Sequence, residues 1–398
     1  MRLSLVGISH HHAPVEVRER VALSSTEASG LARELENAVV LSTCNRTEVY
    51  AVGDDAEQRA LAALRARGGD EVAARTYRLA DHAAALHLFR VAAGLDSLVP
   101  GEGEILGQVR AAYEAGSPDA LLNRLFHDAL HAGKKARAQT TIAESPASVP
   151  AASAALAQQV FGELGGRNVL VVGAGKIGEL AGRSLTARGA RLVAVANRSR
   201  DHGAELARRF GAVAVDLDDL ATQLATADVV VTCTSAPGFV ISREHVRTRR
   251  GRPLFLIDLA VPRDVDPALN EIDDCYVYDI DDLEAVVKTS LAGRRREAER
   301  AEGLVAAEAE RFRAWQASLD VVPTIASLRA RAEAIRSAEL SKAKLSDEER
   351  EAVDSITSQI VNKLLHLPTI RMKEAAAAAD GVLYADAVRH LFGLEDER

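Results

Sequence analysis

Apolar and polar positions follow three different rhythms along this chain. Over residues 1–143 the pattern is mixed. Leu3-Ser4-Leu5-Val6-Gly7-Ile8 reads as a strand, and Leu31 and Leu35 mark one face of a short helix after Thr26. Val39–Thr43 and Val49–Val52 read as strands around the polar tetrapeptide Thr43-Cys44-Asn45-Arg46. Asp81 is placed to cap a helix through Ala93, and helical spacing continues beyond the Gly- and acid-rich stretch Gly94–Val109 to about Gln139. Over residues 144–285 the rhythm becomes that of an α/β fold. The apolar run Asn168–Val172 reads as a buried parallel strand, and Leu192–Ala196, Val213–Val215, Val229–Thr232 and Leu254–Leu259 repeat the pattern with helices between them. Over residues 286–398 the pattern is helical throughout. One long helix is predicted from Asp282 to Leu319, ended by Pro323. Another opens at the Ser346/Glu349 capping box with Val353, Ile356, Ile360 and Leu364 on one face, and Pro368 is expected to stop it.

This is the pattern of a multidomain α/β and α protein: an α+β domain over 1–143, a Rossmann-like doubly wound domain over 144–285, and a spinal helix with an all-helical domain over 286–398. The 398 residues are enough for two or three cores. Hydrophobic residues at 47% and charged residues at 27% fit an ordinary globular chain, so global disorder is excluded as a description. No stretch is apolar enough for a membrane span, and the start of the chain carries too short an apolar run for a signal peptide, so a cytoplasmic location is expected. The net charge of −8 argues against a simple nucleic-acid-binding module, though not against an enzyme with a local basic face. Basic runs at Lys134-Lys135-Arg137, Arg247–Arg252 and Arg294–Arg296 are candidates for one. The apolar stripe of the helical third carries no chemistry of its own and points to association, as a homodimer.

The Rossmann-like region carries a specific motif. Gly173-Ala174-Gly175-Lys176-Ile177-Gly178 follows a buried strand and opens a helix. The first Gly serves the tight turn, the second lets a pyrophosphate approach the backbone, and the third permits close helix–strand packing. The free N–H groups of the helix start then meet the phosphates. The next strand ends in Asn197-Arg198-Ser199, where an NAD-specific site would place an Asp or Glu. Arg198 and its small polar neighbours suit a 2′-phosphate, so the expected cofactor is NADPH.

Three widely spaced cysteines exclude a disulfide framework and a cysteine-based zinc site. Cys275 lies beside Asp273 and Asp274, which disfavour a thiolate. Cys233 ends a strand of the nucleotide domain, facing the crevice. Cys44 lies at a strand end, two residues from Arg46, a cation that favours thiolate. On the residues alone both Cys44 and Cys233 stay open as nucleophiles. His10 and His12 share a face if the strand continues through them, but nothing completes a metal site there. His87 lies inside an apolar helix, and His366 reads as a helix-end residue.

The blocks GISHHHAPVEVRERV, LSTCNRTEVY, HLFRVAAGLDSLVPGEGEILGQV, VLVVGAGKIG and LIDLAVPRDVDPAL, with LLHLPTIRMKEA near the end, run in order along nearly the whole chain. Together they resemble the glutamyl-tRNA reductases. The resemblance implies a catalytic domain, an NADPH domain and a helical dimerisation domain joined by a long spinal helix. It implies reduction of glutamyl-tRNA(Glu) to glutamate-1-semialdehyde, the first committed step toward 5-aminolevulinate and tetrapyrroles. The family's nucleophile falls on Cys44 and its functional histidine on His87. Substrate recognition falls on Thr43, Asn45, Arg46, Ser97, Glu102, Gly103, Glu104 and Gln108, and cofactor contacts fall on Gly173–Gly178. Glu104 departs from the family, which often has Gln there. A hand-over of product to glutamate-1-semialdehyde aminomutase is implied at the family level.

The chemistry agrees with that picture. An aminoacyl ester is an activated acyl donor. A thiolate converts it to a thioester, which accepts a hydride more readily than a carboxylate does. Arg46 is expected to fork the glutamyl carboxylate and His87 to orient groups or relay a proton. The reaction demands no flavin, haem or metal. Two other readings compete: an NADP-dependent dehydrogenase of a small hydroxy or keto acid without a covalent intermediate, and a non-catalytic NADPH- and tRNA-binding protein. The T-C-N-R block, outside the nucleotide fold, favours the reductase over both.

Overall fold

The computed structural model describes residues 2–140, 142, 149–246, 251–283, 295–376 and 381–394. It divides into two compact units, Met1–Ala306 and Ala307–Arg398. The first unit begins with an antiparallel sheet of β1 (Leu3–Ser9), β2 (Ala38–Ser42), β3 (Arg46–Val52) and β4 (Tyr77–Ala80), in the order β2-β3-β1-β4. Helices α1 (Val15–Arg18), α2 (Ser25–Leu35), α3 (Ala56–Arg75), α4 (Asp81–Ala93), α5 (Ile105–Ala115) and α6 (Ala120–Gln139) surround it. Strands β1 and β3 are buried along their whole length, so both faces of the sheet are covered. Because side chains alternate along a strand, the two faces of β3 have different fates. Val49 and Ala51 join Val6, Ile8, Leu31, Leu35 and Leu64 in one apolar core. Arg46, Glu48 and Tyr50 face the other way, and Tyr50 meets Phe126 of α6 edge-on at 5.5 Å.

Local signals explain several boundaries. Ser24 and Glu27 close a capping box on α2, which starts at Ser25, just before the expected start after Thr26. Asp81 does not cap α4. Its Oδ1 instead accepts the Leu3 N–H at 3.1 Å, tying the helix start to β1. The three histidines lie in a turn beyond β1 rather than on the strand, and the His10 and His11 rings meet at 3.9 Å.

After α7 (Val149–Phe161) comes a parallel sheet of β5 (Asn168–Val172), β6 (Arg191–Ala196), β7 (Val213–Val215), β8 (Val229–Thr232), β9 (Leu254–Asp258) and β10 (Cys275–Tyr278). Helices α8 (Lys176–Thr186), α9 (Arg200–Phe210) and α10 (Leu220–Leu224) connect its first strands. The order β10-β9-β8-β5-β6-β7 reverses direction between β5 and β8. In an open parallel sheet the crevice outside the carboxyl ends at that reversal is where a dinucleotide binds.

Helix α11 (Arg295–Asp320) crosses the boundary between the units; the part of the expected long helix over residues 284–294 lies outside the described residues. In the second unit α12 (Val322–Lys342), α13 (Asp347–Ala376) and α14 (Gly381–Phe392) pack around Val321, Ile325, Leu328, Leu365, Met372 and Ala385. Pro323 falls in the first turn of α12, where a missing N–H costs nothing. Pro368 does not end its helix: α13 runs through it. The carbonyl it leaves without a helical donor belongs to Leu364, on the exposed side of the helix. His366 accordingly lies inside a helix, not at its end. Among the described residues no helix is long and apolar enough to cross a membrane.

Candidate active site

Strands β2 and β3 pair up to Ser42 and Thr47, leaving Thr43-Cys44-Asn45-Arg46 as the turn between them. The Thr43 N–H donates to the Arg46 carbonyl at 2.8 Å, and Thr43 Oγ1 accepts the Asn45 N–H at 3.2 Å. The turn is held from outside by the histidine segment, whose His10 N–H donates to the Asn45 carbonyl at 2.9 Å. Cys44 is thereby fixed at the crest of a short, internally bonded loop, half-buried and without a disulfide partner.

The charges around it differ from the sequence expectation. Arg46 does not activate Cys44. Its side chain points into the protein, 2% exposed, and its Nη1 donates to Glu48 Oε1 at 2.9 Å and to Asp96 Oδ2 at 2.8 Å, while Nη2 donates to the Asp96 carbonyl. Both terminal nitrogens of the proposed carboxylate fork are therefore occupied. Its strand register explains this: Arg46 shares a face with Glu48, toward α4. The cation that bears on the thiol is Arg18. Burial, then the negative charge of Glu102, push the Cys44 thiol up to about 12; Arg18 opposes the shift and Glu104 adds to it.

Glu48 is the centre of a buried network. It is 0% exposed and accepts from Arg46, from His87 Nε2 at 2.8 Å, from Tyr50 Oη at 2.6 Å and from Tyr77 Oη. Burial alone would raise its carboxyl. The charges of His87 and Arg46 outweigh that and hold it well below the usual carboxylate range. Its four partners satisfy a charge that would otherwise be costly in the interior. Glu48, Tyr50, Tyr77 and Asp96 were not among the expected site residues, although the alternation Arg-x-Glu-x-Tyr on a strand places the first two beside Arg46.

The second wall is the loop before α5. Ser97 is buried next to Asp96. Gly101 has φ +87°, and a Cβ there would lie 2.0 Å from the Ile142 carbonyl, so only glycine fits. Arg137, from one of the basic runs, donates to the carbonyls of Gly101 and Glu102, at 3.4 and 2.8 Å; it braces this loop rather than a surface. Burial, then Glu104, push the Glu102 carboxyl up to about 7. Glu104 stands at the start of α5, with Oε1 buried and 3.5 Å from Lys176 Nζ of the glycine motif. Gly103 is exposed. Gln108 is set apart from this group: it lines a cavity of about 160 Å³ with Ser42, Ser25 and Ser29, between α2, β2 and α5. Lys134 lines another, of about 510 Å³, with Arg110, Tyr113, His127 and His131. Of the other basic runs, residues 247–250 and 294 lie outside the described residues.

The glycine motif forms the floor of the crevice. Gly173 has φ +107°, and a Cβ on it would come within 2.8 Å of the Cys233 carbonyl. A Cβ on Gly178 would meet the Gly173 carbonyl at 2.3 Å, whereas nothing lies within 4 Å of one on Gly175. The first and third glycines are thus demanded by packing and the second faces open space. That space is a cavity of about 420 Å³ lined by Gly173, Ala174, Gly175, Asn197, Arg198, Ser199, Cys233 and Thr234, among others. Lys176 and Ile177 begin α8, and Ile177 packs inward. Asn197 Oδ1 accepts the Ala174 N–H at 3.1 Å, bracing the loop. Arg198 is exposed and makes no ion pair among the described residues, whereas Arg200 is paired with Asp216. Cys233 lies at the bottom, its Sγ 3.4 Å from the Gly173 carbonyl, and burial, then Asp264, push its thiol up to about 12. The open second glycine and the free helix start fit a nicotinamide dinucleotide.

Among the described residues no group of three or more His, Cys, Asp or Glu side chains is placed to hold a metal ion.

Three family models match successive stretches of the chain: the N-terminal domain of glutamyl-tRNA(Glu) reductase over residues 6–140, shikimate/quinate 5-dehydrogenase over 155–286, and the glutamyl-tRNA(Glu) reductase dimerisation domain over 300–394. A glutamyl-tRNA reductase from Natranaerobius thermophilus is 42% identical, covering 100% of this chain and 93% of its own. One from Rubrobacter xylanophilus is 44% identical over 99% of this chain and 97% of its own. Among solved structures, the glutamyl-tRNA reductase from Methanopyrus kandleri is 34% identical over 98% of this chain and 99% of its own, with a TM-score of 0.48. With identity above 40% sustained end to end, this chain belongs to the glutamyl-tRNA reductase family, oxidoreductases of tetrapyrrole synthesis that reduce the glutamyl group carried by tRNA.

Proposed function

We propose that Cys44 is the nucleophile of this reduction and that the reaction passes through a glutamyl thioester on its Sγ. The observation that carries the reading is the contrast between the thiols. Cys275 is buried, and Cys233 lies beneath Gly173 in the cofactor crevice, where a dinucleotide would cover it. Cys44 stands on a turn outside the nucleotide fold, where an ester can approach.

The thiol gives up its proton, and the thiolate attacks the ester carbonyl. The tetrahedral adduct collapses, the ribose oxygen leaves and takes up a proton, and tRNA departs. Since burial keeps the thiol protonated, a nearby group must accept that proton. Glu102, whose carboxyl is pushed up to about 7, suits the role and can return the proton to the ribose oxygen. A nicotinamide cofactor, read as NADPH, would when bound at Gly173–Gly178 supply the hydride that reduces the thioester carbonyl. The resulting hemithioacetal releases glutamate-1-semialdehyde and the Cys44 thiolate.

Thr43, Asn45, Ser97, Glu102, Gly103 and Glu104 surround the reacting group in this reading, with Gln108 further along α5. The Glu102 and Glu104 carboxylates suit the α-ammonium of the glutamyl group. Arg46, paired with Glu48 and Asp96, braces the turn from behind. His87 acts through Glu48 by holding Arg46 in place. Asn197, Arg198 and Ser199 receive the 2′-phosphate of NADPH. Because the aldehyde is reactive, direct transfer to the aminomutase has chemical sense.

Acid-quenched mass spectrometry after mixing the protein with glutamyl-tRNA, without NADPH, tests the central step. A glutamyl adduct on Cys44 is the expected result, and Cys44→Ser should lack both adduct and reduction while Cys233→Ser keeps most activity. An adduct on Cys233, or full reduction by Cys44→Ser, overturns the assignment.

A further inference from the structure

Helix α1 is a single turn, yet it carries one of the most connected side chains of the first unit. Arg18 is 3% exposed. Its Nη1 donates to the Ala13 carbonyl at 2.9 Å and to Asp281 Oδ1 at 3.0 Å, and its Nη2 donates to Asp281 Oδ1 at 3.0 Å. The same Nη2 lies 3.5 Å from the Cys44 carbonyl. Asp281 also accepts the Val15 N–H at 2.8 Å, so one carboxylate holds both ends of α1. Asp281 follows β10, on the nucleotide-binding sheet. Nearby, Arg263 of the same fold pairs with Glu16 at 3.1 Å and Glu19 at 2.9 Å. Cys44 packs against an apolar cluster that joins Val15, Leu98 and Val99 to Ile257, Leu259, Ile280 and Leu283. The guanidinium of Arg18 therefore stands between the thiol-bearing turn and a carboxylate in the helical stretch that follows the last strand of the cofactor-binding sheet.

We propose that Arg18 is a positioning residue that makes the reactivity of Cys44 depend on the seating of the nucleotide-binding sheet through Asp281. The inference rests on Cys44 being the nucleophile, but its first readout does not. Three charged groups bear on the thiol: Glu102 and Glu104 raise it, and Arg18 lowers it. Arg18 is thus the cation that offsets two carboxylates, and Asp281 is what fixes it against the Cys44 turn. If the sheet withdraws, Arg18 loses its bidentate partner and the thiol loses its fixed cation. Acyl transfer is then favoured in the arrangement that also brings the cofactor crevice near, which limits thioester formation where no hydride can follow.

A purely structural ion pair predicts something else. Such a pair joins two parts of the fold, and removing either partner loosens the same contact with the same consequences. The charge model predicts a difference between the partners. Arg18→Gln removes the cation itself. An opposite charge a few ångströms away moves a titrating group by about one to three pH units. Iodoacetamide labelling of Cys44, followed by peptide mass spectrometry at fixed pH near 8, should therefore slow by about tenfold or more in Arg18→Gln. Arg18→Lys, which keeps the charge without the fork, should recover much of the rate. Asp281→Asn keeps the cation but loosens what fixes it against the turn, so labelling should slow, though less than in Arg18→Gln, while NADPH-dependent reduction falls more than cofactor-free hydrolysis of glutamyl-tRNA.

Wild-type labelling in Arg18→Gln or in Asp281→Asn, or equal slowing in the two, overturns the proposal. Circular dichroism confirms folding of each variant, and the Arg18→Lys and Asp281→Asn pair still decides the matter if Arg18→Gln does not fold. Labelling without glutamyl-tRNA reads the free thiol whether or not that thiol ever forms a thioester. A normal labelling pattern without an acyl adduct would therefore refute Cys44 as nucleophile and leave the Arg18 coupling standing.

Discussion

Lys176 Nζ lies 3.5 Å from Glu104 Oε1, joining the glycine-rich cofactor loop to the start of the helix that borders the Cys44 site. Lys176 is largely exposed, so the contact is a weak ion pair, of the kind worth roughly 0.2–1 kcal/mol. A pyrophosphate at Gly175 would compete with Glu104 for the same ammonium. Glu104→Gln should therefore tighten cofactor binding by up to about fivefold. NADH and NADPH should gain equally, because both carry the pyrophosphate. Fluorescence titration with each nucleotide measures this, and unchanged or weaker binding would show that the pair plays no part.

The same substitution reaches the thiol. Glu104 raises both Glu102 and Cys44. Replacing it with a neutral amide should lower both, moving the pH dependence of cofactor-free ester hydrolysis toward lower pH. At saturating glutamyl-tRNA the rate at pH 7 should rise. A profile displaced toward higher pH would contradict this assignment of charges.

Glu48 governs stability more than chemistry. Removing one partner from a buried, satisfied charge network typically costs about 3–5 kcal/mol, and Glu48→Gln should cost that order in urea unfolding at pH 7. The sign with pH follows from the lowered carboxyl. A group whose folded pKa is depressed contributes stability above its unfolded value, near 4.5, and loses it as pH falls through the folded value. The advantage of the unsubstituted protein over Glu48→Gln should therefore be complete at pH 7 and shrink below about pH 4.5. A gap that stays constant down to pH 3 would place the effect in packing alone.

What could be read in advance depended on the range of the interaction. The Thr43–Arg46 turn was legible because two apolar runs flank four polar residues, a local pattern. The glycine loop was legible because strand, spacing and helix start coincide within a dozen residues. The direction of Arg46 was not read, although strand alternation pairs it with Glu48. Its remaining partner, Asp96, lies 50 residues away on a loop with no periodic signal. Arg18 and Asp281 are 263 residues apart, and no local pattern joins them. The Cys44 thiol was misjudged for a related reason. A neighbouring cation is visible in sequence, but the burial that dominates the thiol is a property of the folded chain. Pro368 misled because α13 loses only one backbone hydrogen bond there and continues through it.

Arg198 offers a clean test of cofactor choice. It is exposed, makes no ion pair among the described residues, and borders the cavity at the end of β6. A charge-assisted hydrogen bond is worth roughly 1.5–3 kcal/mol, so Arg198→Ala should weaken NADPH binding by one to two orders of magnitude. NADH, which lacks the 2′-phosphate, should bind as before. Equal losses for both would assign Arg198 to the fold instead.

The helical unit makes the last prediction. Its three helices bury Ile325, Leu328, Leu365 and Met372 among themselves, but α13 leaves Ile356, Ile360, Leu364 and Leu367 between 50% and 68% exposed. These positions recur every three or four residues and form one stripe along the helix. On α14, Leu383, Tyr384 and Leu391 are also exposed, at 56–76%. An apolar surface this continuous is uncommon on a monomer, and a second copy covers it when the same stripe meets itself across a two-fold axis. Residues 300–394 match a dimerisation-domain model, which supports a homodimer. A charge in the stripe would have to be desolvated on both sides of the axis at once, so one substitution acts twice. Ile360→Asp should convert a dimer into a monomer at micromolar concentration in light scattering. Val213→Asp, an equally exposed apolar position on the nucleotide-binding sheet, should leave the dimer intact. Retention of the dimer in Ile360→Asp, or a monomeric parent protein, would remove the stripe from the interface.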